Sequence, residues 1–133
     1  MNNERYTRQT ILKGFGENGQ HKLAQAKVLV VGAGGLGVPV LTYLNAMGVG
    51  AIGIVDNDIV SITNLHRQVL YSENDLGKLK VNAALAKLRA QNKNTDIVVF
   101  NTFLTTKNAL DIIADYDVVV DASDNFPTRY LVN

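Results

Sequence analysis

Cysteine is absent from this 133-residue chain, which excludes, within these residues, disulfide bonds, a thiolate nucleophile and a cysteine zinc site. An excess of charge of one sign is also lacking: thirteen Lys and Arg stand against twelve Asp and Glu, a net charge of +1. No broad basic field points to nucleic acid or to a membrane surface, so any basic site must be local. No apolar run approaches the ~18 to 20 residues of a membrane span, and the polar amino terminus carries no secretory h-region, so the expected compartment is the cytoplasm. Internal repeats and low-complexity tracts are missing too. What is there, 47% apolar and 19% charged residues, fits a single domain with a real core.

One segment organises the rest. Val28-Leu29-Val30-Val31 is a continuous apolar run that leads straight into Gly32-Ala33-Gly34-Gly35-Leu36-Gly37, and Asp56 closes the next apolar run. Strand, G-x-G-x-x-G, helix and an acid about 20 residues beyond the last glycine are the parts of a nucleotide-binding β-α-β unit. Gly32 and Gly34 allow a tight turn and close approach of backbone to phosphate, Gly37 allows the helix to pack near the strand, and N–H groups at the helix start face the anion.

Around this unit the chain divides into a polar arm with a short helix, residues 1–26, and a domain, residues 27–133. In the arm the helix is expected over Gly19 to Ala26, anchored by Leu23. Strands are expected over Lys27 to Gly32, Ala51 to Asp56, Asp96 to Phe100 and Tyr116 to Asp121. Helices are expected over Gly35 to Met47, with Pro39 in the first turn, and over Gly77 to Gln91 and Lys107 to Ala114. A further helix is expected to begin near Asp124 or Asn125, with Pro127 at its start. Apolar residues run continuously in Val28 to Val31 and Val118 to Val120, as in strands covered on both faces, so the fold is read as a Rossmann-like, doubly wound, mainly parallel α/β sheet. Four strands are visible where such sheets have five or six, and the sequence therefore reads as the amino-terminal part of a longer protein.

Ligands of open α/β sheets gather at the carboxyl ends of the strands, here Gly32 to Gly37, Asp56 to Asp58 and Asp121 to Asn125. Asp56 is suited to accept from both ribose hydroxyls, or else to serve as a turn or cap; Asp58 either joins it or structures the loop. The polar connection Asn57 to Asp75 is long for an α/β loop and concentrates Asn64, His66, Arg67 and Gln68. Arg67 offers a planar fork to phosphate oxygens, against the alternative of a surface salt bridge, and Asn64 both donates and accepts. His66, with no second histidine or cysteine nearby, reads as a packing or surface residue. Lys80 near a helix start opposes the macrodipole by roughly 0.3 to 1 kcal/mol, which an anionic ligand would offset; composition alone makes it part of a solvated face. Asp121 and Asp124 either face the nucleotide together, one of them holding magnesium, or act as strand-terminal acid and helix cap. Arg5-Tyr6-Thr7-Arg8-Gln9 reads as a disordered or docked tail, or as an arm whose arginines reach an active site, in this subunit or its neighbour.

In order, Arg5-Tyr6-x-Arg8-Gln9, Gly32-x-Gly34-Gly35-Leu36-Gly37, Val55-Asp56-x-Asp58, Asn64-Leu65-x-Arg67-Gln68, Gly77-x-x-Lys80 and Asp121-x-x-Asp124-Asn125 resemble the ThiF/MoeB/HesA family of activating enzymes, relatives of ubiquitin-activating enzymes. The resemblance implies ATP, rather than NAD, in the glycine turn. It implies adenylation of the terminal carboxylate of a small ubiquitin-like sulfur carrier ending in Gly-Gly, with release of pyrophosphate. It assigns nucleotide binding to Gly32, Gly34, Gly35, Gly37, Asp56, Asp58, Asn64, Arg67, Gln68, Lys80, Asp124 and Asn125, and catalysis to Arg8, Arg67, Lys80 and Asp124. Asp124 resembles the magnesium-associated acid, and Arg8 an arginine that acts across a homodimer. Zinc, bound by Cys-x-x-Cys pairs, and the carrier-docking surface are implied only beyond Asn133. Competing readings are an NAD-binding oxidoreductase domain, a non-catalytic carrier-binding scaffold, and a tRNA-modifying dehydratase that also uses ATP.

Overall fold

The computed structural model describes residues 3–123 and 131–132 of the chain. Four parallel strands form one sheet in the order β3-β2-β1-β4: β1 (Lys27–Val31), β2 (Ala51–Val55), β3 (Asp96–Phe100) and β4 (Val118–Asp121). The expected strands are present to within two residues. Their carboxyl ends align, Val31 opposite both Val55 and Asp121, and Val55 opposite Phe100. The ladder runs one residue further, since Asp56 N donates to Phe100 O, Gly32 N to Val55 O and Ala122 N to Val31 O. Four loops therefore leave the sheet side by side along one edge.

Both faces of β1 are covered, as its continuous apolar run requires. Val28 and Val30 pack with Ile52, Ile54, Leu41, Val81 and Leu88, beneath α3 (Gly37–Met47) and α4 (Lys80–Gln91). Leu29 and Val31 pack on the other face with Val55, Leu104 and Ala109, the last belonging to α5 (Ala109–Ile113). Among the described residues no helix is long and apolar enough to cross a membrane.

The arm is helical and docked. A 3-10 turn over Asn3–Tyr6 and α1 (Thr7–Thr10) precede α2 (Gly16–Gln25), which starts three residues earlier than its apolar spacing predicts. Tyr6 is buried, worth roughly 1.5 to 3 kcal/mol, and its hydroxyl accepts from Asn92 Nδ2 at 3.0 Å. Asn92 Nδ2 also donates to Asn45 O, and Asn45 Nδ2 to Leu88 O. Gln9 and Gln20 each donate from Nε2 to Met47 O, and Arg5 Nη1 donates to Gln91 O. The arm thus satisfies carbonyls at the carboxyl ends of α3 and α4 that have no partner within their helices.

Three helices begin later than expected, for identifiable reasons. Gly34 and Gly35 belong to the turn, and α3 starts at Gly37. Gly77 has φ +82°, and the stretch after it pairs with the chain leaving β2 through an antiparallel bridge between Ile59 and Leu79, so α4 starts at Lys80 rather than Gly77. Helix α5 is shorter than Lys107 to Ala114 because residues 105–108 form a turn in which Asn108 Oδ1 accepts from Thr105 N. The helix expected near Asp124 falls outside the described residues.

At Gly37 a Cβ would stand 1.9 Å from the carbonyl oxygen of Gly32, a backbone atom with no room to move. At Gly35 the nearest atom to a Cβ is Arg67 Nε at 3.4 Å, on a flexible side chain. Replacing Gly37 by Ala is expected to cost about 3 kcal/mol or to prevent folding, whereas Gly35→Ala should stay within about 0.5 kcal/mol of the parent; urea unfolding of the two variants measures this.

Candidate functional site

The four aligned loops enclose a cavity of about 550 Å³, within the range of small-molecule sites. Its floor is the end of β1 and the glycine turn, Gly32, Gly34 and Gly35. Asp56, Asn57 and Asp58 line it after β2, and Thr102, Phe103 and Leu104 after β3. Ala122 and Ser123 line it after β4, and Asn64, Arg67, Gln68 and Lys80 come from the connection and the start of α4.

Gly32 has φ +105°, a conformation that favours glycine, and a Cβ there would also meet Ala122 O at 2.7 Å. Gly34 and Gly35 meet no such obstacle and leave the backbone bare on the cavity side. Asp56 ties the turn to β2: its carboxylate accepts from Ala33 N and from Asp58 N, both at 2.8 Å. The acid therefore serves as a structural staple as well as a wall of the cavity.

The connection after Asp58 folds as a closed loop. Its neck is made by Val60 N to Lys78 O and Gly77 N to Val60 O, each 2.9 Å. Inside it, Asn64 Oδ1 accepts from Ser61 N and Ser61 Oγ, both at 3.0 Å, and caps the 3-10 turn Ile62–Asn64. That leaves the Asn64 amide nitrogen to donate elsewhere. Arg67 Nη1 donates to Thr63 O, and among the described residues no carboxylate pairs with it. Exposed His66 shares Thr63 O through Nδ1, and no cluster of three or more potential metal ligands occurs among the described residues.

Lys80 is only 5% exposed, which sets aside the solvated face that composition alone suggests. Its ion-pair partner is Asp58, 3.9 Å away and itself 68% exposed in its side chain, while the main chain of Asp58 accepts the Lys80 N–H at 3.0 Å. A buried ammonium with so distant and so solvated a counterion, at a positive helix end, favours an anion in the cavity. Gln68, 2% exposed, also lines the cavity; its buried Oε1 has no hydrogen-bond partner among the described residues and, as an acceptor, calls for a donor and not for a phosphate oxygen. The bare glycine backbone and the under-neutralised cations together fit a phosphorylated ligand.

Of the residues expected from sequence, Gly32, Gly34, Gly35, Asp56, Asp58, Asn64, Arg67, Gln68 and Lys80 meet at one cavity. Gly37 does not line it; its missing side chain serves the contact with Gly32. Arg8 is exposed on α1 and is not among the cavity walls of its own chain. Asp124 and Asn125 lie outside the described residues. Asp121 accepts from Ser123 N and Oγ and so acts as a strand-terminal acid. Thr102, Phe103 and Leu104 are walls that were not expected, though the carboxyl-end rule extended to β3 points to them; Ala122 and Ser123 fall within the stretch Asp121 to Asn125 read from the sequence.

A parallel sheet of order 3-2-1-4 with a glycine turn and a cation-bearing cavity at its carboxyl edge defines a Rossmann-like domain of the nucleotide-site type. The chain belongs to the ThiF family, whose profile matches residues 6–133. It is 55% identical over 130 residues to a sulfur carrier protein adenylyltransferase of Thermus thermophilus, covering 98% of this chain and 48% of that protein. With the adenylyltransferase and sulfurtransferase MOCS3 of Caenorhabditis briggsae it shares 49% identity over 129 residues, 97% of this chain and 32% of the relative. The chain thus spans about half or less of the curated relatives it matches. Among solved structures it is similar to the E. coli tRNA N6-threonylcarbamoyladenosine dehydratase TcdA in complex with ATP, with TM-score 0.89 and 30% identity over 97% of this chain and 53% of that one. It is also similar to E. coli MccB with AMPCPP and MccA, with TM-score 0.83 and 34% identity over 94% and 38%.

Tyr71, buried beside the cavity, donates to Ala33 O at 2.6 Å. Burial, reinforced by the carboxylates of Asp56 and Asp75, pushes its phenol above the ordinary value of 10.0. The unfolded chain releases this proton first, so as pH rises beyond about 10 the folded state loses its advantage. Stability measured by urea unfolding between about pH 9 and pH 11 should fall more steeply for the parent than for Tyr71→Phe, by at most about 1.4 kcal/mol per pH unit.

Proposed function

We propose that this chain is the nucleotide-binding part of an ATP-dependent adenylyltransferase that activates the terminal glycine carboxylate of a small ubiquitin-like sulfur carrier. The observation that carries the reading is the buried Lys80, weakly neutralised by Asp58, sharing a cavity with an Arg67 that pairs with no described carboxylate and with the bare glycine turn. Hydride transfer in an NAD domain has no need of cations beyond those that hold a pyrophosphate; transfer of an adenylyl group has a leaving pyrophosphate to neutralise. Relatives at 49 to 55% identity named as adenylyltransferases support the same assignment, as does a neighbour holding ATP.

In this reading Asp56 accepts from the ribose hydroxyls, and the amides around Gly34 and Gly35 approach the phosphates. Thr102, Phe103 and Leu104 wall the site on the β3 side. A carboxylate oxygen of the carrier attacks the α-phosphorus, the bond to the bridging oxygen of pyrophosphate breaks, and the carrier leaves as an acyl adenylate. The nucleophile comes from the partner, so the enzyme needs no cysteine for this step; Arg67, Gln68, Asn64 and Lys80 orient the triphosphate and meet the charge released. Magnesium, which would shield that charge, is assigned to Asp124. That residue lies outside the described ones, so no step is built on the metal.

Pyrophosphate exchange by the full-length protein with candidate Gly-Gly carriers tests the reading. Arg67→Ala, and Lys80→Met, which keeps most of the apolar stem, should each lower exchange about ten- to hundredfold, the worth of a charge-assisted phosphate contact. ATP binding without carrier-dependent exchange would remove the adenylation claim. The similarity to TcdA favours a second reading, action on a modified tRNA, and exchange that responds to tRNA but to no carrier would select it.

We further propose that the protein is a homodimer in which Arg8, exposed on a docked helix, acts at the neighbouring subunit's site. Mixing Arg8→Ala and Lys80→Met chains, each strongly impaired alone, should then restore about a quarter of the parent's exchange activity, since half of the dimers formed are mixed and each mixed dimer holds one intact site. No recovery on mixing would place Arg8 in its own subunit's chemistry or outside it.

A further inference from the structure

The loop between Val60 and Gly77 is closed at its neck, and its far side carries Arg67 and Gln68 over the glycine turn. Among the described residues a single hydrogen bond joins that far side to the turn: Tyr71 OH donates to Ala33 O at 2.6 Å. Two side chains of that far side stand close to the turn. Arg67 Nε lies 3.4 Å from where a Cβ on Gly35 would stand, and Gln68 Nε2 lies 3.5 Å from the same point on Gly34. Short backbone turns connect these groups to the tyrosine, Gln68 N to Asn64 O at 2.8 Å and Tyr71 N to Gln68 O at 3.1 Å, so movement of Tyr71 is passed on to both side chains.

We propose that Tyr71 is a positioning residue for phosphate recognition: its hydroxyl, held by the Ala33 carbonyl, sets the spacing between the glycine turn and the Arg67-Gln68 face. The inference rests on the nucleotide reading above and adds to it a residue that touches no ligand. Three observations separate this from a purely structural role. The aromatic ring is 4% exposed and packs in the main core, so packing alone asks only for an aromatic ring and not for a hydroxyl. The carbonyl it chooses belongs to the turn itself, between Gly32 and Gly34, and the adjoining Ala33 N–H is already held by Asp56. Both polar groups of Ala33 are therefore pinned from outside the turn, one by the strand that carries Asp56 and one by the loop that carries Arg67. Burial also keeps the phenol protonated, and so a donor, throughout the neutral and moderately alkaline range.

Tyr71→Phe retains the ring and removes the hydrogen bond. Calorimetric titration of the full-length parent and variant with magnesium-ATP, and with adenosine as the phosphate-free probe, separates the outcomes. If the hydroxyl positions the phosphate contacts, Kd for ATP rises about three- to tenfold while Kd for adenosine stays within about twofold. In an Arg67→Ala background the same change should lose most of its effect on ATP, because the group it positions is gone. An unchanged ratio of ATP to adenosine affinity in Tyr71→Phe, with the parent binding ATP normally, overturns the positioning role and leaves the nucleotide reading intact. A parent protein with no preference for ATP over adenosine overturns both.

Discussion

Everything at the carboxyl edge of the sheet depends on how closely α3 approaches the end of β1. Gly37 sits so near the carbonyl of Gly32 that no side chain fits between them, and this contact sets where the helix starts and therefore where the turn before it points its amides. Gly32 is constrained from the other side as well, since its φ is positive and a Cβ on it would meet the carbonyl of Ala122. With helix, turn and two strands held by backbone against backbone, the cavity floor keeps its shape without help from a ligand.

Onto that floor the structure brings charge that it does not fully neutralise. Lys80 is held at its place by a neck of backbone hydrogen bonds between the chain leaving β2 and the chain entering α4, and not by its ion pair, which is long and solvated on one side. A buried cation held this way is unfavourable in isolation and becomes favourable when an anion arrives. Arg67, which pairs with no carboxylate among the described residues, lines the same space. The fold has thus already desolvated Lys80 and Gln68, while Arg67 stays exposed at the cavity wall.

The amino-terminal arm shows one motif divided between two tasks. Tyr6 and Gln9 face inward and bond to groups at the ends of α3 and α4, while Arg8 between them is left exposed. A single helical turn explains the division, because neighbouring positions on a helix point in different directions. Composition alone could not distinguish a docked arm from a disordered one; the choice falls to the orphan carbonyls at the helix ends, which Gln9, Gln20 and Arg5 satisfy.

The strands, the glycine turn and most of the cavity walls were legible from the order of residues. Val28 to Val31 had to be a strand buried on both faces, and Gly32 to Gly37 had to be a turn of close approach, because those demands are local and fall on particular residue types. Helix starts were less legible: the apolar spacing of Gly77 to Gln91 says nothing of the bridge between Ile59 and Leu79 that delays α4 until Lys80. What the sequence determined by itself was the set of elements and the chemistry at the ends of β1 and β2. Only the tertiary structure decided that Thr102, Phe103 and Leu104 complete the walls and that Tyr71 bolts a distant loop to Ala33. The reason is physical: these contacts follow from the spatial order β3-β2-β1-β4, which sets side by side chain ends that are far apart in sequence.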